Sequence, residues 1–97
     1  VPASAAVHLT GAIGFVVDPK GTNEQVEIYT SGENRFVLLP EASLAHMNRH
    51  VFLSATPGKV SLAPPLSGVL QPVGVISGIL AGGRVAVMTR YEYRFLL

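Results

Sequence analysis

The chain contains no cysteine among its 97 residues. This absence excludes disulfide bonds and metal sites built from thiolates, and it leaves the cellular compartment without a sequence indicator. Charge is also scarce, because only 13% of the residues are Asp, Glu, Lys or Arg, about half of the usual share of roughly 25%. The formal net charge of +1 gives no field strong enough to attract nucleic acid or an anionic membrane from a distance.

A long hydrophobic run is missing as well, although 48% of the residues are hydrophobic. A membrane-spanning helix needs roughly 20 consecutive apolar residues, so we expect neither a helical membrane protein nor a membrane partner. A small domain has much surface for its volume, and so little charge cannot coat that surface evenly. We therefore expect part of the surface to be apolar and covered by another chain.

Groups that could support catalysis or bind a metal are scattered along the chain. No serine lies in a G-x-S-x-G motif, and residues 78–84 (GILAGGR) lack the Lys-Ser/Thr ending of a phosphate-binding loop. His46 and His50 are four residues apart and would share one face of a helix, but Glu41 is poorly spaced to act as a third ligand. The sequence therefore predicts a protein that is not an enzyme and that carries no metal or cofactor.

The C-terminal segment, residues 84–97 (RVAVMTRYEYRFLL), alternates in character and predicts one long β-strand. One predicted face carries Val85, Val87, Thr89, Tyr91, Tyr93, Phe95 and Leu97. The other face carries Arg84, Arg90, Glu92 and Arg94. At roughly 3.3 Å per residue the strand would span about 45 Å, which is longer than a barrel of this size requires. We expect part of this strand to run along an edge.

Prolines and glycines divide the rest of the chain into strand-sized segments. The predicted strands are residues 7–17, 25–30, 35–39, 51–55, 59–63 and 73–80. Residues 31–34 (SGEN) are predicted to turn the second strand into the third, and residues 81–83 (AGG) to close a final hairpin. Residues 41–50 form the only predicted helix. The fold class is all-β, with residues 1–6 as a flexible N-terminal arm and residues 7–97 as a single β-barrel domain.

This arrangement resembles the oligonucleotide/oligosaccharide-binding (OB) fold, a five-stranded Greek-key barrel with a helix between its third and fourth strands. The resemblance lies in the architecture: a first strand bent at Gly11 and Gly14, two further strands, and the helix at residues 41–50. No residue motif identifies a family within that fold. The predicted fold is a small Greek-key barrel with one short helix and a long C-terminal strand. A sandwich and an SH3-like barrel stay open as alternatives.

The resemblance implies a binding face on the second and third strands. It points to Tyr29, Arg35 and Phe36 as contacts for a ligand or a single-stranded nucleic acid. The last strand adds a basic row, Arg84, Arg90 and Arg94. These arginines could hold phosphates or an acidic partner, or they could pair with carboxylates across the sheet.

The end of the long strand is the predicted interface. Its residues are Tyr91, Tyr93, Phe95 and Leu97. A bare edge with such side chains promotes aggregation unless another chain covers it. We therefore expect a non-catalytic β-barrel interaction module that forms a homo-oligomer, or binds a protein partner, through its strand edges. An OB-like protein that binds single-stranded nucleic acid is the alternative.

Overall fold

The structure is a computed structural model that describes residues 2, 4–6, 11–17, 21–91 and 95–96. Segments rich in valine and isoleucine form the central strands of its antiparallel sheet. For Phe95 the description covers the backbone alone. The described strands are β1 (Ser31–Leu38), β2 (His50–Leu53), β3 (Val60–Ser61), β4 (Val69–Leu70), β5 (Pro72–Ile79), β6 (Arg84–Arg90) and β7 (Phe95–Leu96). Five of them form one sheet in the order β1-β6-β5-β2-β3, and β4 pairs with β7 separately. The chain is therefore mainly β, as predicted.

The five-stranded sheet curls into a half-barrel. Its ladders shift register between β1 and β6, between β5 and β6, and between β2 and β5. Such bulges increase the local twist and bend the strand that carries them. At Gly74 the neighbouring strand comes so close that a Cβ would clash with the carbonyl oxygen of Met88. Glycine at this position therefore permits the tight approach of β5 and β6.

The core is a cluster of aliphatic side chains from β2, β4, β5, β6 and the residue after β1, joined by Ala5 and Ala12. Ile76 of β5 pairs with Val87 of β6, and both side chains are no more than 1% exposed. Val51 of β2 and Leu39 belong to the same cluster. Burying each of these side chains contributes about 1.5 to 3 kcal/mol, so the middle of the sheet is its most stable part.

The predicted closing hairpin is confirmed. A 3-10 turn, Ala81–Gly83, joins β5 to β6, and Gly82 and Gly83 have φ angles of 75° and 73°. β2 and β3 also pair as a hairpin, which the sequence analysis did not predict, through a loop in which Gly58 has a φ of 74°. Glycine adopts these angles without steric cost, which explains why glycines occupy both turns.

The predicted turn at residues 31–34 is wrong. These residues lie in β1, which pairs with β6 through almost its whole length. Gly32 has a φ of 107° within the strand, and the hydroxyl of Thr89 donates to its carbonyl oxygen (2.6 Å). A turn would satisfy one or two backbone groups, whereas pairing with β6 satisfies a ladder of them, so the sheet overrides the local preference.

The hairpin predicted between residues 25–30 and 35–39 is also wrong. Among the described residues, 25–30 form no ladder and contribute a single bridge, from Tyr29 to Phe15. The first predicted strand is described only in residues 11–17, which likewise form this one bridge, and its beginning lies outside the described residues.

The predicted helix at residues 41–50 is reduced to one 3-10 turn, Leu44–His46. Met47 packs against the core, but Leu44 is 79% exposed and adds no packing, on which a short helix depends. The chain then enters the sheet, because the N–H of Asn48 donates to the carbonyl of Ile76 (2.9 Å). No helix in the described ranges has the length and hydrophobicity that crossing a bilayer requires.

The predicted long C-terminal strand is interrupted. β6 ends at Arg90, Tyr91 lies outside any strand, and β7 pairs with β4 in the second sheet. On the neighbouring strand, Pro72 begins β5 and has no N–H to extend the ladder. The alternation of residues 84–97 predicts a strand, but it contains no information about where the neighbouring strand β5 begins and the pairing stops. Residues 92–94 and 97 lie outside the described residues.

Ser4 and Ala5, which the sequence analysis assigned to a flexible arm, are fully buried. The N–H of Ala5 donates to the carbonyl of Ser54 (2.9 Å), and its carbonyl accepts from the N–H of Val69 (2.9 Å). The hydroxyl of Ser4 donates to the carbonyl of Ala55 (2.8 Å). This segment therefore connects the end of β2 to β4.

Candidate assembly surface

Residues 11–17 and 21–30 form an extension of the half-barrel, here called the finger. Its two segments meet at Phe15 and Tyr29, whose backbones exchange two hydrogen bonds of 2.9 Å. The two rings stack with centroids 5.6 Å apart and planes inclined by 26°. The Tyr29 hydroxyl donates to Oε2 of Glu27 (3.1 Å), and this contact with a carboxylate raises the pKa of Tyr29. The stack and the bridge fix the two segments against each other.

Large apolar side chains of the finger are exposed to solvent. The exposed residues are Ile13, Val16, Val17, Val26, Ile28 and Tyr29, each between 40% and 62% exposed. Phe36 and Leu38 of β1 are exposed as well, at 57% and 49%. We call these eight residues together the apolar surface. Single exposed apolar residues are ordinary, but a run of them along one part of a fold marks an interaction site.

The strand β1 leaves its outer edge unpaired. It stands last in the sheet order, and among the described residues no strand lies on its far side. One donor of this edge is satisfied within the strand, because the N–H of Phe36 donates to Oδ1 of Asn34 (2.9 Å). An edge of eight residues flanked by exposed aromatic and aliphatic side chains is a template for another strand.

β1 also carries an ion pair on its surface. Nη1 of Arg35 lies 2.9 Å from Oε1 of Glu33, and the hydroxyl of Ser77 donates to Oε2 of the same carboxylate (3.2 Å). These two hydrogen bonds hold the pKa of Glu33 below its usual value. The pair is solvent-exposed, so it adds little to stability.

The chain has more surface than a compact monomer of its size. Its accessible surface is 6258 Å², about 900 Å² more than the roughly 5,300 Å² expected for its mass. Each partner of a standard interface buries about 800 Å². The radius of gyration is 12.8 Å, close to the value of about 12.5 Å for a compact chain. The principal extents are 38 × 31 × 20 Å, and such a flattened shape has more surface than a compact sphere.

The structure exposes Tyr29, Arg35 and Phe36, with Tyr29 bonded to Phe15 and Glu27 of the finger and the other two residues on β1. Arg35, however, is already paired with Glu33. Arg84 and Arg90 stand at opposite ends of β6, opposite Leu38 and Ser31 of β1, about 20 Å apart along the strand. They do not form one basic patch. Arg94 lies outside the described residues.

The predicted interface residues are only partly described. Tyr91 is partly buried and packs against the core, and this burial raises its pKa to about 12. Its carbonyl oxygen accepts a hydrogen bond from Nε2 of Gln71 (3.2 Å). Phe95 pairs through its backbone with Leu70. Its side chain and the residues Tyr93 and Leu97 lie outside the described part of the structure.

A second concave surface lies beside β2. It is an open groove of about 320 Å³ lined by Asn48, Arg49, His50, Phe52, Leu62 and Pro64. An arginine beside an aromatic ring suits a small anion or a flat ring, yet few groups converge in so open a groove.

His46, one of the two histidines considered as metal ligands, accepts a hydrogen bond at Nδ1 from the N–H of Ser43 (2.9 Å). In the described part of the chain, no three metal-ligating side chains lie close enough to hold an ion.

Sequence reasoning missed the finger and this groove. Val26 and Ile28 alternate with polar residues, which predicts a half-buried strand, whereas the structure leaves both exposed. The low charged fraction was the one sequence property that indicated an exposed apolar area. The groove combines residues of the predicted helix with residues of two strands, so no local pattern marks it.

Comparison of the chain with protein-family models, with curated proteins and with solved structures gave no match. The resemblance to the OB fold is therefore limited to the coarse architecture of a mainly β half-barrel. Function has to be argued from the surface itself.

Proposed function

We propose that this protein is a non-catalytic β interaction module that self-associates, or joins a larger assembly, through its apolar surface and the edge of β1. The observation that carries the proposal is the exposure of the apolar surface along the finger and β1, where each of its side chains is between 40% and 62% exposed. Covering these side chains removes apolar area from water, which is the main driving force of association.

One further observation supports the proposal. A backbone bridge and one aromatic stack hold the two segments of the finger together, and Gln71 fixes its start at Ala12 through two hydrogen bonds. A pre-organised apolar element binds with a smaller loss of entropy than a flexible one.

The experiment measures mass in solution for the protein and for one charged variant. We expect the unmodified protein to be larger than a monomer at micromolar concentration. Ile28→Lys should weaken the association by roughly tenfold or more, because it places a charge in the centre of the apolar surface. Leu66→Lys is the matched control, because Leu66 is fully exposed and lies outside this surface. An Ile28→Lys variant with unchanged mass would show that this surface is not the interface.

Single-stranded nucleic-acid binding is the second candidate function. Its support is that Tyr29, Arg35 and Phe36 are exposed, since aromatic rings stack on bases and arginine pairs with phosphate. The Glu33–Arg35 pair weighs against it. Titration of a fluorescent oligonucleotide at two salt concentrations should give a log-log slope of about −0.7 per contacted phosphate. Binding that is undetectable at low salt would remove this alternative.

A further inference from the structure

The groove beside β2 has a polar side, formed by Asn48, Arg49 and His50. All three residues are exposed, and in the part of the chain that the structure describes, none of their side chains makes a hydrogen bond or an ion pair. Arg35 differs in this respect, because its guanidinium is paired with Glu33. The donors on the polar side of the groove are therefore available to a ligand.

The backbone of the polar side is fixed against β5. The N–H of Asn48 donates to the carbonyl of Ile76, and the N–H of Ile76 donates to the carbonyl of Arg49, both at 2.9 Å. The N–H of Arg49 also donates to the carbonyl of His46 (3.0 Å). Because the backbone is already held, a ligand has to order only the side chains, which reduces the entropy lost on binding.

The remaining lining of the groove is its apolar side, formed by Phe52, Leu62 and Pro64. Phe52 and Leu62 are half-buried, and Pro64 is exposed. A flat ring placed over these side chains would remove apolar area from water, and it could stack against the ring of Phe52. The apolar side therefore favours a ligand with an aromatic ring.

The charge of the lining favours an anion. The six lining residues include an arginine and a histidine and no acidic residue. A guanidinium forms two parallel hydrogen bonds with a carboxylate or a phosphate. The amide of Asn48 and a ring N–H of His50 are further donors. The ligand that complements both sides of the groove therefore carries one acidic group on an aromatic ring.

We propose that this groove binds a small aromatic anion, whose carboxylate or phosphate is held by Arg49 and His50 while its ring lies over Phe52. The volume of about 320 Å³ is at the lower end of the range for small-molecule sites, roughly 300 to 1,000 Å³, which suits a single ring with one acidic group. The groove is open, so part of the ligand stays in water and we expect a Kd of about 1 mM.

This site is separate from the surface proposed for assembly. In the sheet order, β6 and β5 stand between β1 and β2. The groove and the apolar surface also share no residue. Binding of a small anion therefore goes beyond the proposed function, and the two proposals can fail independently.

Titration of the ¹⁵N-labelled protein followed by NMR tests the proposal with four probes. Benzoate and phenyl phosphate carry both a ring and an acidic group, benzamide keeps the ring without the charge, and inorganic phosphate keeps the charge without the ring. We expect benzoate or phenyl phosphate to shift the amide signals of residues 48–52 and 61–63 to saturation. Benzamide and inorganic phosphate should bind roughly tenfold more weakly or less. The stronger of the first two probes identifies the acidic group that the groove prefers.

One pair of variants tests the role of the guanidinium. Arg49→Gln should weaken binding of the stronger probe by roughly tenfold, because the charged hydrogen bonds are lost. Arg84→Gln is the matched control, because it removes the same charge from an exposed residue at the start of β6, outside the groove. Both side chains are exposed, so neither substitution should unfold the protein.

Saturable shifts at the groove that need both the ring and the acidic group, and that only Arg49→Gln weakens, support the proposal. Absence of saturable shifts with benzoate and phenyl phosphate up to about 10 mM overturns it. Equal affinity for benzamide or inorganic phosphate, or equal effects of Arg49→Gln and Arg84→Gln, overturns it as well. None of these outcomes depends on whether the protein self-associates.

Discussion

Gln71 shows how one side chain can join distant parts of the chain. It is fully buried, its Oε1 accepts from the N–H of Ala12 (2.7 Å), and its Nε2 donates to the carbonyl oxygens of Ala12 (2.8 Å) and Tyr91 (3.2 Å). Glutamine is rarely buried unless it is bonded in this way. The amide thus ties the start of the finger and the end of β6 to the segment between β4 and β5.

Replacing this amide should lower the stability of the protein. Gln71→Leu removes three hydrogen bonds in a buried environment while keeping most of the volume, so we expect the free energy of unfolding to fall by about 2 to 4 kcal/mol. Urea unfolding measures the change. Gln25→Leu is the matched control, because Gln25 is exposed and should change stability by about 0.5 kcal/mol or less. Equal effects of the two substitutions would contradict the bridging role of Gln71.

Tyr91 should make stability depend on alkaline pH. Burial raises its pKa to about 12 in the folded chain, against an ordinary value of 10.0. Between these values the unfolded chain releases the phenolic proton while the folded chain retains it, so stability falls as pH rises. Urea midpoints at pH 8 and near pH 11 measure the fall. Tyr91→Phe should reduce it, and Tyr29→Phe should reduce it less. An unchanged fall in Tyr91→Phe would contradict the burial of this hydroxyl.

At the scale of the elements, the N-terminal segment should contribute to the fold. Gly68 and Gly82 both have left-handed φ angles, of 85° and 75°. A Cβ at Gly68 would clash with the backbone of Ala5, whereas one at Gly82 would meet nothing within 4 Å. Comparing an alanine substitution at each position therefore separates the free-energy cost of an unfavourable φ from the cost of displacing Ala5.

Substitution of the two glycines tests this contact. Gly82→Ala should cost about 1 to 2 kcal/mol, which is the strain of a left-handed residue. Gly68→Ala should cost at least about 2 kcal/mol more, because the segment around Ala5 has to move. Thermal unfolding of both variants measures the difference. Equal costs would show that this segment is not docked against Gly68.

The sequence predicted those elements whose determinants are local. The closing hairpin β5–β6 follows from two aliphatic strands joined by a glycine turn, and both signals lie within a few residues. The choice between the finger and residues 31–38 as a sheet strand is not local. Residues 25–30 alternate and residues 31–38 do not, yet β6 pairs with residues 31–38. Local turn residues such as Gly32 and Asn34 therefore predicted a turn where the structure has a strand.

The candidate site was predictable to a similar degree. The architectural resemblance indicated Tyr29, Arg35 and Phe36, and the structure exposes all three. The apolar residues of the finger, such as Ile13 and Ile28, were not identified, because an alternating apolar pattern indicates burial and does not say whether the partner is the same chain or another. Low charge content predicted an apolar surface but could not place it.

At the scale of the whole molecule, the five-stranded sheet does not close into a barrel. Within the part of the chain that the structure describes, the sheet ends on one side in β1, whose outer edge is unpaired, and on the other in the two-residue β3. Closed barrels have no such edges, and open sheets protect theirs with charge, short strands or a covering chain. The β3 side is protected by its short length. On the β1 side, with the exposed finger beside it, we expect a covering chain.

Sedimentation equilibrium of the unmodified protein tests this central claim most directly. Association through apolar side chains and strand pairing should persist when salt rises from low concentration to about 1 M, where charges are screened beyond about 3 Å. We expect a mass larger than one chain of 10.2 kDa at micromolar concentration under both conditions. A mass of one chain at both salt concentrations would contradict self-association through this surface.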